Sequence, residues 1–230
     1  MLIGKVARLI FGKYNVMYLM AIKQRIKRIS GKPNIYSYSF DLNRSIFIHV
    51  PKTAGTSICH SLYGNISWPW HFNARQCRLI DKKAFDSYLK FTFVRDPFER
   101  LVSTYNYAQT HAKNNPNSSI NFILSYNNFD EFVLDWVNKK NINTHYFFNT
   151  QLSYITDEKG IIIIDKVFRF ESINHDFKLL SEMVDIKSEL KERNISKHTI
   201  AKKFTQEAID RVYEVYLDDY DAFGYEKYKN

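Results

Sequence analysis

With 230 residues, 45% hydrophobic and 16% aromatic, and only seven glycines and five prolines, the chain can bury one α/β-sized core and has no room for long flexible linkers; a disordered protein is excluded. Its net charge of +9 is unevenly spread, because residues 1–30 carry Lys5, Arg8, Lys13, Lys23, Arg25, Lys27 and Arg28 and no acidic residue. That leaves about +2 for the rest, so a protein that binds nucleic acid with its whole surface is disfavoured and no nucleic-acid partner is expected.

From the N-terminus, residues 1–30 interleave these charges with apolar residues such as Val6, Leu9, Leu19, Ile22 and Ile26, the composition of a helix with a basic face. A terminal segment packed on the domain is expected, with peripheral contact to a membrane as the alternative. The longest apolar run, residues 16–22, falls far short of the roughly 20 residues that cross a bilayer. No long apolar stretch leads to a small-residue cleavage site either. Residues 31–230 then read as one domain.

Two cysteines, Cys59 and Cys77, make no disulfide framework, and neither has a second cysteine at metal-ligand spacing. A reducing compartment is expected, the cytoplasm or the inner face of its membrane, and no metal.

Three apolar runs, residues 45–50, 91–95 and 161–170, read as buried strands, the last split near Asp165 and Lys166. Each is followed by helical sequence, which argues for an α/β fold with a central parallel sheet flanked by helices. The helix after the second strand has clear start signals: Asp96 as N-cap, Pro97 in the first position and Glu99 as capping-box partner. Arg95 therefore ends a strand. Further helices are predicted over 129–138, 173–184 and 205–223, the last capped by Thr205 and closed by Gly224. The polar stretch 187–203 reads as an exposed loop.

Residues 45–63, SIFIHVPKTAGTSICHSLY, run from a strand through a short loop into a helix beginning near Ser57. Such a turn aims backbone N–H groups and the positive end of the helix dipole at one spot. Thr53, Thr56 and Ser57 add hydroxyls, Ala54 and Gly55 complete the turn with Gly55 allowing close approach, and Lys52 supplies a mobile charge. In a Walker loop the lysine follows the last glycine, whereas Lys52 precedes Gly55 by three residues, so this is not a standard ATP loop.

The set PKTAGTS resembles the 5′-phosphosulfate loop of sulfotransferases that use 3′-phosphoadenosine 5′-phosphosulfate (PAPS), in particular the carbohydrate-modifying branch, sulfotransferase family 2. The segment FTFVRDPFERLVSTYNYA, residues 91–108, resembles that family's 3′-phosphate site, which implies Arg95 and Ser103 as its ligands. A guanidinium grips phosphate bidentately, and Ser103 lies two helical turns from the cap on the same face. HYFFNTQLSYI, VFRFESI, NISKH and VYEVYLDDYDAFGY follow in the family's order, so the resemblance covers roughly residues 45–225. The lack of the transmembrane anchor and disulfides of Golgi members points to a bacterial type.

The resemblance implies a P-loop NTPase-like sulfotransferase fold and PAPS as cosubstrate, held by residues 52–57, Arg95, Ser103 and Lys197. The implied reaction moves a sulfuryl group to a carbohydrate hydroxyl, as in polysaccharide biosynthesis, without a metal. It implies Lys52 beside the leaving phosphate and His71, in WPWHFNARQ, as the base, like the histidine of uronyl 2-O-sulfotransferases. His145 and Gln151 fall where that branch places acceptor contacts. Trp68, Trp70 and Phe72 fit either sugar stacking or the core. Two rival functions remain: a P-loop kinase using ATP, with Asp165 as its acidic strand end, and a nucleic-acid- or membrane-binding module acting through residues 1–30.

Overall fold

The computed structural model describes residues 2–64, 71–186, 189–190 and 203–230, with side chains from residue 16 onward. In chain order these form α1 (Leu2–Ile29), β1 (Ser45–Phe47), α2 (Gly55–Tyr63), α3 (Ala74–Ile80), α4 (Lys82–Ser87), β2 (Leu89–Val94), α5 (Pro97–Asn114), α6 (Phe129–Trp136), β3 (Lys166–Arg169), α7 (Ile173–Met183), α8 (Gln206–Val215) and α9 (Leu217–Phe223), joined by loops and short turns. They group into two compact units, Met1–Val94 with Ser153–Ile195 and Arg95–Leu152 with Ser196–Asn230. The division after Val94 falls inside the second strand–helix motif, where no change of composition marks it.

In the first unit the strands form a parallel sheet in the order β1-β2-β3, with Phe47 opposite Phe91 and Phe93 opposite Phe168. Strand alternation puts these four rings on one face, where Phe47 stacks on Phe91 and Phe93 on Phe168 at 5.2 Å. β1 and β2 are buried almost throughout, as their unbroken apolar runs predict. β3 departs from that pattern: it is an edge strand in which only Phe168 is buried. The predicted split in the third run is found, since Ile162 makes an isolated bridge with Thr156 and β3 starts at Lys166.

The C-terminal half of α1 belongs to this unit. Ala21 is fully buried, Gln24 Oε1 accepts from the Ile35 N–H at 3.0 Å, and Arg28 binds both Asp41 and Asp81, the latter at 2.8 Å. α3 is the helix against which α1 packs. Cys59 and Cys77 are buried free thiols. No described helix is long and apolar enough to cross a membrane.

In the second unit α5 starts where predicted, with Asp96 accepting from the Glu99 N–H at 2.8 Å and Pro97 in the first turn. Glu99 does not play its predicted part, because its carboxylate takes the Arg95 guanidinium at 3.2 Å. Phe98, Phe129, Phe132, Phe148 and Phe204 form an aromatic core beneath α5, α6 and α8. The helix predicted over 205–223 is in fact two. Thr205 caps the first and Gly224, at φ 63°, ends the second, but the backbone leaves helical geometry at Tyr216. That side chain is fully buried, lies 5.6 Å below the Arg100 guanidinium and donates to the Phe148 carbonyl at 2.7 Å. These tertiary contacts override a local pattern that runs on without a break.

Candidate active site

The phosphate-loop residues lie in the first unit, where the chain leaves the C-terminal end of β1. Lys52 and Ala54 have left-handed backbones, φ 70° and 62°, with Thr53 between them. Each costs about 1–2 kcal/mol in a residue with a Cβ, and alternating handedness turns successive N–H groups to one side, the nest that receives anions. α2 then begins at Gly55, two residues earlier than predicted. Its first-turn N–H groups have no acceptor within the helix, and the positive end of its dipole lies at the loop.

Two loop side chains act differently from expectation. Thr53 is fully buried and its hydroxyl donates to the Val50 carbonyl at 2.9 Å, so it braces the loop and its hydroxyl proton is already committed. Gly55 faces protein: a methyl there would stand 1.9 Å from His49 Nε2, which makes glycine obligatory for seating the His49 ring. Ser57 is buried and Thr56 partly exposed.

His71 also belongs to this unit. It stands just ahead of α3, whose start is fixed by a reciprocal capping box: Asn73 accepts from the Gln76 N–H at 2.9 Å and Gln76 from the Asn73 N–H at 3.0 Å. His71 Nδ1 lies 3.0 Å from the His49 carbonyl. A carbonyl only accepts, so Nδ1 carries the proton and Nε2 keeps its lone pair. Burial pushes the His71 pKa down to about 4; the bond to His49 opposes this and the Lys52 ammonium reinforces it. At neutral pH the ring is an uncharged acceptor beside a cation. Phe72 is buried core, while Trp68 and Trp70 lie outside the described residues.

Asp165 sits at the opposite end of the sheet. It precedes β3 and accepts from the Lys90 backbone N–H at 2.7 Å and the Lys90 ammonium at 2.9 Å. An acidic residue holding a nucleotide's metal belongs at the C-terminal ends of the strands, where the loop is. Asp165 is therefore an ion-pair partner of β2, and the kinase reading loses its acidic strand end.

In the second unit Arg95 is held by its main chain. Gln151, fully buried, accepts from the Arg95 N–H at 2.9 Å and donates to its carbonyl at 2.7 Å. Gln151 is in turn held by Asp219, whose two oxygens accept from the N–H groups of Gln151 and Leu152, each at 2.8 Å. Burial raises the Asp219 pKa to about 6 against the pull of Arg100 and these N–H groups. At Gln151, where an acceptor contact was expected, both ends of the amide are engaged with the Arg95 main chain. His145 is likewise built into its loop. It is buried, Nδ1 accepts from the Phe147 N–H at 3.3 Å, and the ring stacks on Tyr146 at 4.8 Å. Arg100 is fully buried and donates to the carbonyls of Phe147 and Asn149, holding the same loop. Ser103 is partly exposed on α5, and Lys197 lies outside the described residues, with most of 187–203.

Three residues in these networks carry no signal that the sequence reading used: His49, Arg100 and Asp219. His49 was accessible in principle, since it stands in the apolar run that leads into the loop.

A parallel strand that passes through a mixed-handed turn into a helix N-terminus defines an α/β protein built to hold a phosphorylated ligand. The Sulfotransferase family model matches residues 40–226, and the chain belongs to that family. It is a sulfotransferase enzyme. Comparison with curated proteins and with solved structures gave no match.

Proposed function

We propose that this sulfotransferase uses PAPS as donor and transfers its sulfuryl group to a hydroxyl of a carbohydrate. The observation that carries the reading is His71, a neutral histidine whose tautomer is fixed by the His49 carbonyl, set beside Lys52 of the anion-binding loop. The donor set fits a phosphosulfate: a mixed-handed nest, a helix N-terminus and an ammonium. When bound, PAPS supplies an activated sulfuryl group attached to a phosphate.

The chain's own residues do the rest. Backbone N–H groups of residues 53–57 hold the anion, and Lys52 neutralises charge that grows on the leaving phosphate oxygen. His71 Nε2 accepts the proton of the attacking hydroxyl. Bound anion offsets the Lys52 ammonium and raises the His71 pKa toward the range a base needs. Arg95 and Ser103 bind the 3′-phosphate, with Gln151 fixing the Arg95 backbone. The products are a sulfate ester and adenosine 3′,5′-bisphosphate. The likeness of PKTAGTS and of a histidine base to the carbohydrate-modifying branch supports a sugar acceptor.

Thermal unfolding with adenosine 3′,5′-bisphosphate, and separately with ATP and Mg²⁺, tests the donor. At about 100-fold over Kd the bisphosphate adds about 2.7 kcal/mol, a rise of roughly 5–10 °C that Arg95→Ala diminishes. Radiolabelled sulfate passing from PAPS to a panel of glycans tests the acceptor. Stabilisation by Mg-ATP alone would falsify the donor assignment, and label found only on protein tyrosine or small phenols would overturn the sugar.

A further inference from the structure

α1 has two unlike faces. One, with Ala21, Gln24 and Arg28, is built into the first unit. The other carries Tyr18, Leu19, Ile26 and Ile29, which are 50, 43, 62 and 74% exposed. At 3.6 residues per turn these four fall within an arc of about 100°, with Ile22 between them, turned away from Ala21 and Gln24. Lys23 borders this row on one side and Arg25 on the other, both exposed. Single exposed leucines are ordinary, but a row of large apolar side chains along three turns of one helix marks a contact surface.

Charge selects the partner. The first acidic residue of the sequence is Asp41, preceded by Lys5, Arg8, Lys13, Lys23, Arg25, Lys27, Arg28 and Lys32. Asp41 and Asp81 are both taken by Arg28, and among the described residues Lys23, Arg25, Lys27 and Lys32 form no ion pair. A second copy of α1 would set like charges against each other. A nucleic acid would meet the charge and leave the isoleucines in water. An anionic bilayer accepts both, the apolar row at the acyl boundary and the lysines among the headgroups. We propose that the outward face of α1 docks on an anionic lipid surface. The proposal concerns where the enzyme works and stands independently of its donor and acceptor.

The test is flotation of the full chain with phosphatidylcholine vesicles, with and without about 30% phosphatidylserine. Partitioning at least about tenfold stronger on the anionic vesicles is expected, falling as salt shortens the screening length. The variant Tyr18→Ser/Leu19→Ser/Ile26→Ser/Ile29→Ser should lose about tenfold or more of that binding while its unfolding temperature holds. Should this variant fold poorly, Ile26→Cys carrying an environment-sensitive dye gives a second reading, since Cys59 and Cys77 are buried. Its emission should rise and shift to the blue on anionic vesicles only. Equal binding to both vesicle types, undiminished binding by the serine variant, or an unchanged dye spectrum overturns the proposal. So does a concentration-dependent dimer in the absence of lipid that the serine variant abolishes, or RNA binding that the variant leaves intact while vesicles are ignored.

Discussion

Replacing Gln151 by leucine keeps most of the side-chain volume and removes both ends of the amide that grips Arg95. The Arg95 N–H loses an acceptor at 2.9 Å and its carbonyl a donor at 2.7 Å. A buried backbone group left without a partner costs about 1–3 kcal/mol. Arg95 is only partly buried, so water recovers some of this and the sum is about 2–3 kcal/mol. In a chain of this size that lowers the unfolding temperature by roughly 4–12 °C. Arg95→Ala is the complementary change, because it retains the main-chain clamp and removes only the guanidinium. It should unfold close to the parent yet bind adenosine 3′,5′-bisphosphate about 10- to 150-fold more weakly, the worth of a charge-assisted phosphate contact. Gln151→Leu should show both effects. Scanning fluorimetry and isothermal titration calorimetry, run at a temperature where each variant is folded, separate the two quantities. A Gln151→Leu protein that melts with the parent refutes the clamp. One that melts early but binds the bisphosphate as tightly as the parent shows that the clamp serves the fold and leaves the guanidinium indifferent.

Three further outcomes are expected. Gly55→Ala drives a methyl to within 1.9 Å of His49 Nε2. Displacing that buried ring costs about 1–3 kcal/mol and moves the carbonyl that holds His71, so sulfuryl transfer should fall by about 100-fold; a variant with parental activity contradicts the packing. The His71 pKa of about 4 places the acid limb of kcat/KM for the donor well below pH 6, since the base fails only as it protonates. The same downward shift removes stability as pH falls from about 6.5 toward 4, because the unfolded histidine charges first. A kinetic limb at 6.5 or above, or a pH–stability curve that His71→Asn leaves unchanged, contradicts this. Asp219→Ala strips acceptors from the Gln151 and Leu152 N–H groups and removes the carboxylate beside buried Arg100. A loss of about 3–5 kcal/mol follows, measured by denaturant unfolding.

The elements that local chemistry dictates were legible in the sequence. Asp96 and Pro97 start α5, Thr205 starts α8, Gly224 ends α9, and unbroken apolar runs give β1 and β2, because caps and strand burial depend on neighbours in the chain. What depends on distant partners was not. Tyr216 breaks a helix because its hydroxyl reaches Phe148, 68 residues away. Gln151 and His145 stood at positions suggesting acceptor contacts, and only the fold shows that the Gln151 amide is turned on Arg95 and that His145 Nδ1 accepts from Phe147. Asp219 lies in an acidic pair at a helix start that reads as solvated surface, yet it is fully buried. A polar residue type at a given spacing reports that a hydrogen bond will be made, and leaves open with whom.

The loop itself shows how far that difference reaches. Glycine would sit at φ 70° without steric cost, and a lysine there gives up about 1–2 kcal/mol. What glycine lacks is the ammonium, and that ammonium is felt by His71, whose pKa it lowers. The true glycine of the loop is Gly55, which has no left-handed backbone and is required by the His49 ring. Left-handed strain therefore falls on Ala54 and on Lys52, the residue proposed to neutralise the leaving phosphate, and glycine on the residue whose side chain has no room. A loop arranged only for turning would place them the other way round. Backbone strain kept beside a charge and a neutral histidine supports the proposal that this loop is a working site.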